Sequence, residues 1–188
     1  MTDGTPSSPG PRTPNRTLTA ISLVGFMGAG KTTVGRALAA KLGWEFVDLD
    51  EIIQARDGRT IPEIFQNSGE KDFRRLEQQL LQELVSSSRV NASVLSLGGG
   101  AFIDNTNQQL LRENEIPAVF LDAPAEELFR RCQQPGVARP LLSDRDGFSA
   151  LYERRRPAYM NAALCIQTAG REIASIVDEI MTRLGVGF

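Results

Sequence analysis

A chain of 188 residues with a formal net charge of −2 suits a single domain, and it carries no global field that would gather nucleic acid or an anionic membrane. Its 41% hydrophobic and 23% charged residues are the proportions of an ordinary globular protein, and no apolar run approaches the roughly 18–20 residues of a membrane span. There is no histidine, so every Ser–His or Cys–His nucleophile and every histidine-ligated metal is excluded, and two cysteines, Cys132 and Cys165, are too few for a thiolate cluster or a disulfide framework.

Residues 1–16 are Pro, Gly, Ser and Thr with almost nothing apolar, which predicts a disordered tail with no secretory h-region. Residues 17–188 are expected to form one domain. Leu18 to Val24 is an apolar, β-branched run broken by Gly25, the pattern of a buried strand. Lys31 to Leu42 places Val34, Leu38 and Leu42 on one helical face, with Gly43 where a C-terminal cap belongs. Phe46 to Leu49 predicts a second strand. Gly69 to Val85 predicts a long helix with Phe73, Leu76, Leu80 and Leu84 as its stripe. Val94–Leu97, Ala118–Leu121 and Ala163–Ile166 complete five strands, and their alternation with helices requires parallel pairing through right-handed crossovers. The stretch 133–148, with two prolines and two glycines, breaks this rhythm and is expected to be a mobile lid.

The strongest chemical signal is Gly25-Phe-Met-Gly28-Ala29-Gly30-Lys31-Thr32, which fits G-x-x-x-x-G-K-[ST] between a strand and a helix. Glycines let the backbone wrap an anion with its amides turned inward, and the following helix aims its dipole at the same point. Lys31 can then reach the β- and γ-phosphates of a nucleotide while the Thr32 hydroxyl meets Mg²⁺. Gly28, Ala29, Gly30, Lys31, Thr32 and Thr33 are accordingly the candidate ATP-binding residues.

Further residues narrow the kind of P-loop protein. A GTPase switch is disfavoured, because the literal D-x-x-G at Asp144–Gly147 falls in the irregular stretch and no N-K-x-D occurs. Asp48-Leu-Asp50 ends a strand at the carboxyl edge where α/β proteins bind ligands, so alternation would send both carboxylates to one side. One can help hold Mg²⁺ through water and the other can accept a proton, although Asp50 is equally placed to cap the helix that follows. Gly98-Gly99-Gly100 permits close backbone approach to a ligand, with Ser96 just upstream. Arg74 stands three residues before Glu77, which reads either as a solvated ion pair or as a cation held against the crevice. Of the 21 basic residues only Lys31, Lys41 and Lys71 are lysine, and position has to decide which arginines matter. Arg139-Pro-Leu-Leu would deliver a cation from the lid to the developing charge of phosphoryl transfer, and Arg154-Arg155-Arg156-Pro-Ala-Tyr159 ends a helix, where at least one cation would simply complement the dipole.

In order, the P-loop, D-x-D, F-R-x-x-E at Phe73–Glu77, the triple glycine, R-P-L-L and R-x-P-x-Y at Arg155–Tyr159 resemble the shikimate kinase family over about nine tenths of the chain. The resemblance implies an α/β, three-layer P-loop kinase fold with a five-stranded parallel sheet flanked by helices and a mobile lid. It implies ATP-dependent phosphorylation of the 3-hydroxyl of shikimate in aromatic amino acid biosynthesis, with Mg²⁺ as cofactor. Site residues carried over by motif are Lys31, Asp50 and Arg139 as catalytic, with Asp50 also the candidate general base. Arg131 and Arg139 join the ATP site. Asp50, Arg74, Gly98, Gly99, Gly100 and Arg155 form the substrate site, and Thr32, Asp48 and Ser96 the metal site. The expected partners are ATP and shikimate, without nucleic acid or membrane, for a monomer in the cytoplasm. The alternatives are a gluconate or nucleotide kinase on the same scaffold, which would not need both Arg74 and Arg155, and a non-catalytic relative, which would have lost Lys31, Asp50 or Arg74.

Overall fold

The apolar runs become strands β1 Ala20–Val24, β2 Glu45–Asp48, β3 Ser93–Ser96, β4 Ala118–Asp122 and β5 Leu164–Gln167. They pair in parallel in the order β2-β3-β1-β4-β5. Residues 18–87, 92–133 and 144–187 are described by this computed structural model. The expected tail, Arg139 and residues 134–143 of the expected lid lie outside them, whereas residues 145–148, also within the expected lid, form the first turn of a helix, with Phe148 buried.

Every residue of β1, β3 and β4 is buried, as in strands covered on both faces, while β2 and β5 form the partly exposed edges. Helix α1 (Lys31–Leu42) packs against α7 (Ile173–Leu184), and α5 (Ala125–Cys132) packs against α6 (Arg145–Tyr159). Gly43 closes α1 at φ 68°, its amide bonded back to the Ala39 and Ala40 carbonyls, as the spacing predicts. Because β1 lies between β3 and β4, the chain reverses its winding beside β1, and the loop after that strand opens into the crevice where such sheets bind ligands.

Two boundaries differ from expectation. Strand β2 ends at Asp48 rather than Leu49, because the Asp48 carboxylate accepts from the Asp50 amide at 3.0 Å and caps helix α2 (Leu49–Asp57). Asp48 is therefore the cap, Asp50 lies in the first helical turn, and a helix start rather than strand alternation brings the two acids together. The long helix α3 runs from Ile61 to Val85, not from Gly69, with Gly69 as a break at φ 77°, ψ 169°. Its first turn is fixed by a capping box, in which Thr60 accepts from the Glu63 amide and Glu63 accepts from the Thr60 amide at 2.7 Å. Helix α4 (Asn105–Glu113) follows a 3-10 turn, Ala101–Ile103, directly after the triple glycine.

Candidate active site

The loop joining β1 to α1 is built as an anion cradle. Gly28 adopts φ 79°, and a Cβ there would lie 2.6 Å from the Leu128 carbonyl oxygen and 2.9 Å from Cys132 Sγ, so only glycine fits. Gly30 sits at the α1 N-cap with φ 89° and no side-chain cap, and the first turn of α1 has no acid. The positive end of the helix is therefore left for an external anion. Ala29 is buried and its amide closes the turn on the Phe26 carbonyl at 3.2 Å. Lys31 folds over this loop, its ammonium donating to the carbonyls of Gly25 at 2.9 Å and Phe26 at 3.2 Å, and Thr32 and Thr33 are exposed at the helix start.

The three residues expected at a metal come together. Thr32 Oγ1 donates to Asp48 Oδ2 at 3.3 Å, and Asp48 stands opposite Ser96 in the β2–β3 register. Two hydroxyls and a carboxylate are hard oxygen donors, which suit Mg²⁺. No group of three or more His, Cys, Asp or Glu that could hold a metal occurs among the described residues. Mg²⁺ is commonly held by one or two protein oxygens with phosphates and water supplying the rest, and Thr32, Asp48 and Ser96 fit that role.

On the other side of the crevice, side chains converge on Gly98–Gly100. Arg74 donates to Glu77 Oε2 at 2.7 Å and to Glu70 Oε1 at 3.3 Å, with its guanidinium carbon 5.0 Å from the Phe73 ring centre and 5.9 Å from that of Phe65. The pair is not the solvated i,i+3 contact that spacing alone permits, since the Glu77 side chain is 2% exposed and that of Arg74 29%. A Cβ on Gly98 would meet Asp50 Oδ1 at 2.7 Å and Glu77 Oε1 at 3.0 Å, and one on Gly100 would overlap the Arg74 guanidinium at 2.2–2.4 Å. The missing side chains are what let Asp50, Glu77 and Arg74 approach this loop together. Gly99 has space, and its carbonyl accepts from Arg155 Nη1 at 3.4 Å and from the Tyr159 hydroxyl. Burial pushes the Glu77 carboxyl above the usual carboxylate range, Arg74 opposes that rise, and Asp50 adds to it.

Glu77 enters the sequence only as the acid spaced to pair with Arg74. Its near-complete burial, and an Oε1 with no hydrogen-bond partner among the described residues, make it part of the site itself. The F-R-x-x-E spacing held that signal, but burial is invisible to spacing. Tyr159, the last residue of R-x-P-x-Y, is fully buried beneath Gly99 and stacks on Phe120 with ring centres 5.1 Å apart. Of the three consecutive arginines, Arg154 is exposed, Arg155 faces Gly99, and Arg156 is tied to Asp122 at 2.8 Å.

At the nucleotide end, Arg131 donates to Glu127 at 3.0 Å, to the Thr168 hydroxyl at 3.3 Å and carbonyl at 3.2 Å, and to the Gly28 carbonyl at 3.5 Å. It therefore stands at the rim of the phosphate loop. A separate cavity of about 450 Å³ lies at the opposite pole, lined by Leu18, Phe102, Leu111 and Pro117 near the amino ends of β1 and β4. Ligand crevices of parallel sheets open at the carboxyl ends, so that cavity is not the chemical site.

The family model described as shikimate kinase matches residues 27–185. The shikimate kinase of Persephonella marina is 41% identical over 165 residues, covering 87% of this chain and 98% of the relative, and that of Thermus thermophilus is 40% identical over 172 residues, covering 90% and 91%. The solved structure of shikimate kinase from Acinetobacter baumannii in complex with shikimate superposes with a TM-score of 0.81 at 38% identity, covering 89% of this chain and 93% of that one. A cradle for phosphates on one wall of the crevice and two buried-side guanidinium groups on the other agree with these similarities, and the chain belongs to the shikimate kinase family.

Proposed function

We propose that this chain transfers the γ-phosphoryl group of ATP in line to the 3-hydroxyl of shikimate, giving shikimate 3-phosphate and ADP. The observation that carries this reading is the convergence of Arg74 and Arg155 on one glycine loop, with Asp50 beside them. Two guanidinium forks match a single carboxylate, and an acid next to them matches ring hydroxyls. In the reaction, the acceptor oxygen forms a bond to γ-phosphorus as the bond to the ADP oxygen breaks, and Asp50 takes the hydroxyl proton. The amides of Gly28, Gly30, Thr32 and Thr33 and the ammonium of Lys31 hold the phosphates in line, in a turn that the Ala29 amide closes on Phe26, so the protein chiefly positions and neutralises. Arg131 takes the adenine end and Arg139 the transferring phosphate. Thr32 would hold Mg²⁺ directly, with Asp48 and Ser96 around its waters, and the ion when bound neutralises charge on the β- and γ-oxygens. The expected partners are ATP and shikimate, and the expected state is a monomer. No helix among the described residues is long and apolar enough to cross a membrane. Two cysteines are too few for a disulfide framework, which supports a reducing, cytoplasmic setting.

An assay of ADP release with Mg·ATP tests the reading: shikimate supports turnover, while gluconate and nucleoside monophosphates do not. Brisk turnover of one of those and none of shikimate would overturn it. Arg74→Ala weakens shikimate binding by about 1.5–3 kcal/mol, the value of a charge-assisted hydrogen bond, as measured by calorimetry. Gly100→Ala produces a milder version of the same loss, about tenfold, because the added methyl drives the Arg74 guanidinium off its place without removing it. An unchanged shikimate affinity in both variants would refute the carboxylate grip.

A further inference from the structure

We infer that Asp122 is a positioning residue that holds Arg155 in its substrate-facing place through the side chains of Tyr152 and Arg156. Asp122 ends β4, is 3% exposed, and lies outside every sequence motif above. Its Oδ1 accepts from the Tyr152 hydroxyl, and its Oδ2 accepts from Arg156 Nη2 at 2.8 Å and from Gln167 Nε2 at 3.1 Å. Arg156 Nε closes the knot on the Tyr152 hydroxyl at 3.1 Å. Burial alone would raise the Asp122 carboxyl, but the bonds from Arg156, Tyr152 and Gln167 outweigh it and keep the group below its ordinary range.

The knot has a job because of where it grips α6. Pro157 stands inside that helix and has no amide to give to the Glu153 carbonyl, so the last turn lacks one rung of its ladder. That turn carries Arg155 and Tyr159. Fixing Arg156 to the sheet fixes the rotation of the helix about its axis, and with it the direction of the neighbouring Arg155. Tyr152 supplies a second hold, since its ring packs edge-on to Phe26 of the phosphate loop at 5.5 Å, and the same Phe26 ring lies 5.9 Å from the Arg155 guanidinium carbon.

The backbone of Asp122 serves the other ligand. Its carbonyl accepts from the Thr168 amide at 2.8 Å and hydroxyl at 3.0 Å, and Thr168 in turn holds Arg131 at the rim of the phosphate loop. One residue thus reaches the acceptor side through its carboxylate and the nucleotide side through its carbonyl. Substituting the side chain separates the two.

The inference rests on the assignment of Arg155 to the shikimate carboxylate, and the experiment tests the two separately. Asp122→Asn leaves one acceptor oxygen where Tyr152, Arg156 and Gln167 all donate, and removes the charge that holds Arg156. Calorimetry should show shikimate binding weakened by about tenfold and ATP binding changed by less than about twofold, with the kinetic loss in KM for shikimate rather than in kcat. Arg156→Gln, at a partly exposed position, should reproduce this split if Asp122→Asn does not fold. In an Arg155→Ala background, Asp122→Asn should weaken shikimate by no more than about a further twofold, because the two act as one unit. The inference is overturned by unaltered shikimate affinity in folded Asp122→Asn, by parallel loss of ATP affinity, or by an undiminished loss in the Arg155→Ala background. An Arg155→Ala variant that binds shikimate like the parent overturns the assignment of Arg155 instead, and the inference with it.

Discussion

Lys31→Ala lowers kcat by about 10²–10³-fold, the size of effect seen when a preorganised donor to a developing anion is removed. Shikimate affinity changes by less than about threefold, because Lys31 belongs to the donor wall and not to the acceptor wall. The physical reason lies in the ammonium's position. It is held over the loop by two carbonyls, those of Gly25 and Phe26, and so it meets the phosphates without a search through rotamers. Single-turnover measurements with saturating ATP isolate the chemical step. A variant that transfers phosphate at the parent rate would show that the backbone amides of the loop suffice alone.

The largest effect on stability is expected at Tyr159. Tyr159→Ala costs about 3–5 kcal/mol, the range for deleting a buried aromatic ring, and lowers Tm by roughly 10 °C in a chain of this length. Tyr159 is 0% exposed, stacks on Phe120 and donates to the Gly99 carbonyl. Tyr159→Phe keeps the stack and removes the hydroxyl, for a smaller loss of about 1 kcal/mol, and leaves Arg155 as the remaining donor to that carbonyl. Thermal unfolding of the two variants side by side separates ring from hydroxyl. Equal losses would mean that the packing carries little.

The strands were legible because fully buried parallel strands write themselves as unbroken apolar runs, and Val94–Leu97 and Ala118–Leu121 lie within one residue of the observed ends. The end of β2 differs by one residue because Leu49 continues the apolar run in sequence, whereas the Asp48 side chain bonds the Asp50 amide and starts a helix at Leu49. The helix before Gly69 was missed although Thr60-Ile-Pro-Glu63 carries a capping box and an early proline, since Gly69 interrupts the apolar stripe. The phosphate loop, Asp50, Arg74 and Arg155, which the fold gathers at one crevice, stand in contiguous motifs, where chemistry and spacing coincide. The Asp122 knot had no such trace. Its partners stand 30, 34 and 45 residues away, and only the folded sheet makes them neighbours.

Two cations of the crevice donate to backbone carbonyls: Lys31 to those of Gly25 and Phe26, Arg155 to that of Gly99 at a long 3.4 Å. Arrival of a phosphate or a carboxylate is then an exchange of partners, in which an uncharged acceptor gives way to an anionic one. Side chains already gathered lose little further freedom at that moment, so recognition in this fold is expected to be driven by heat release more than by ordering.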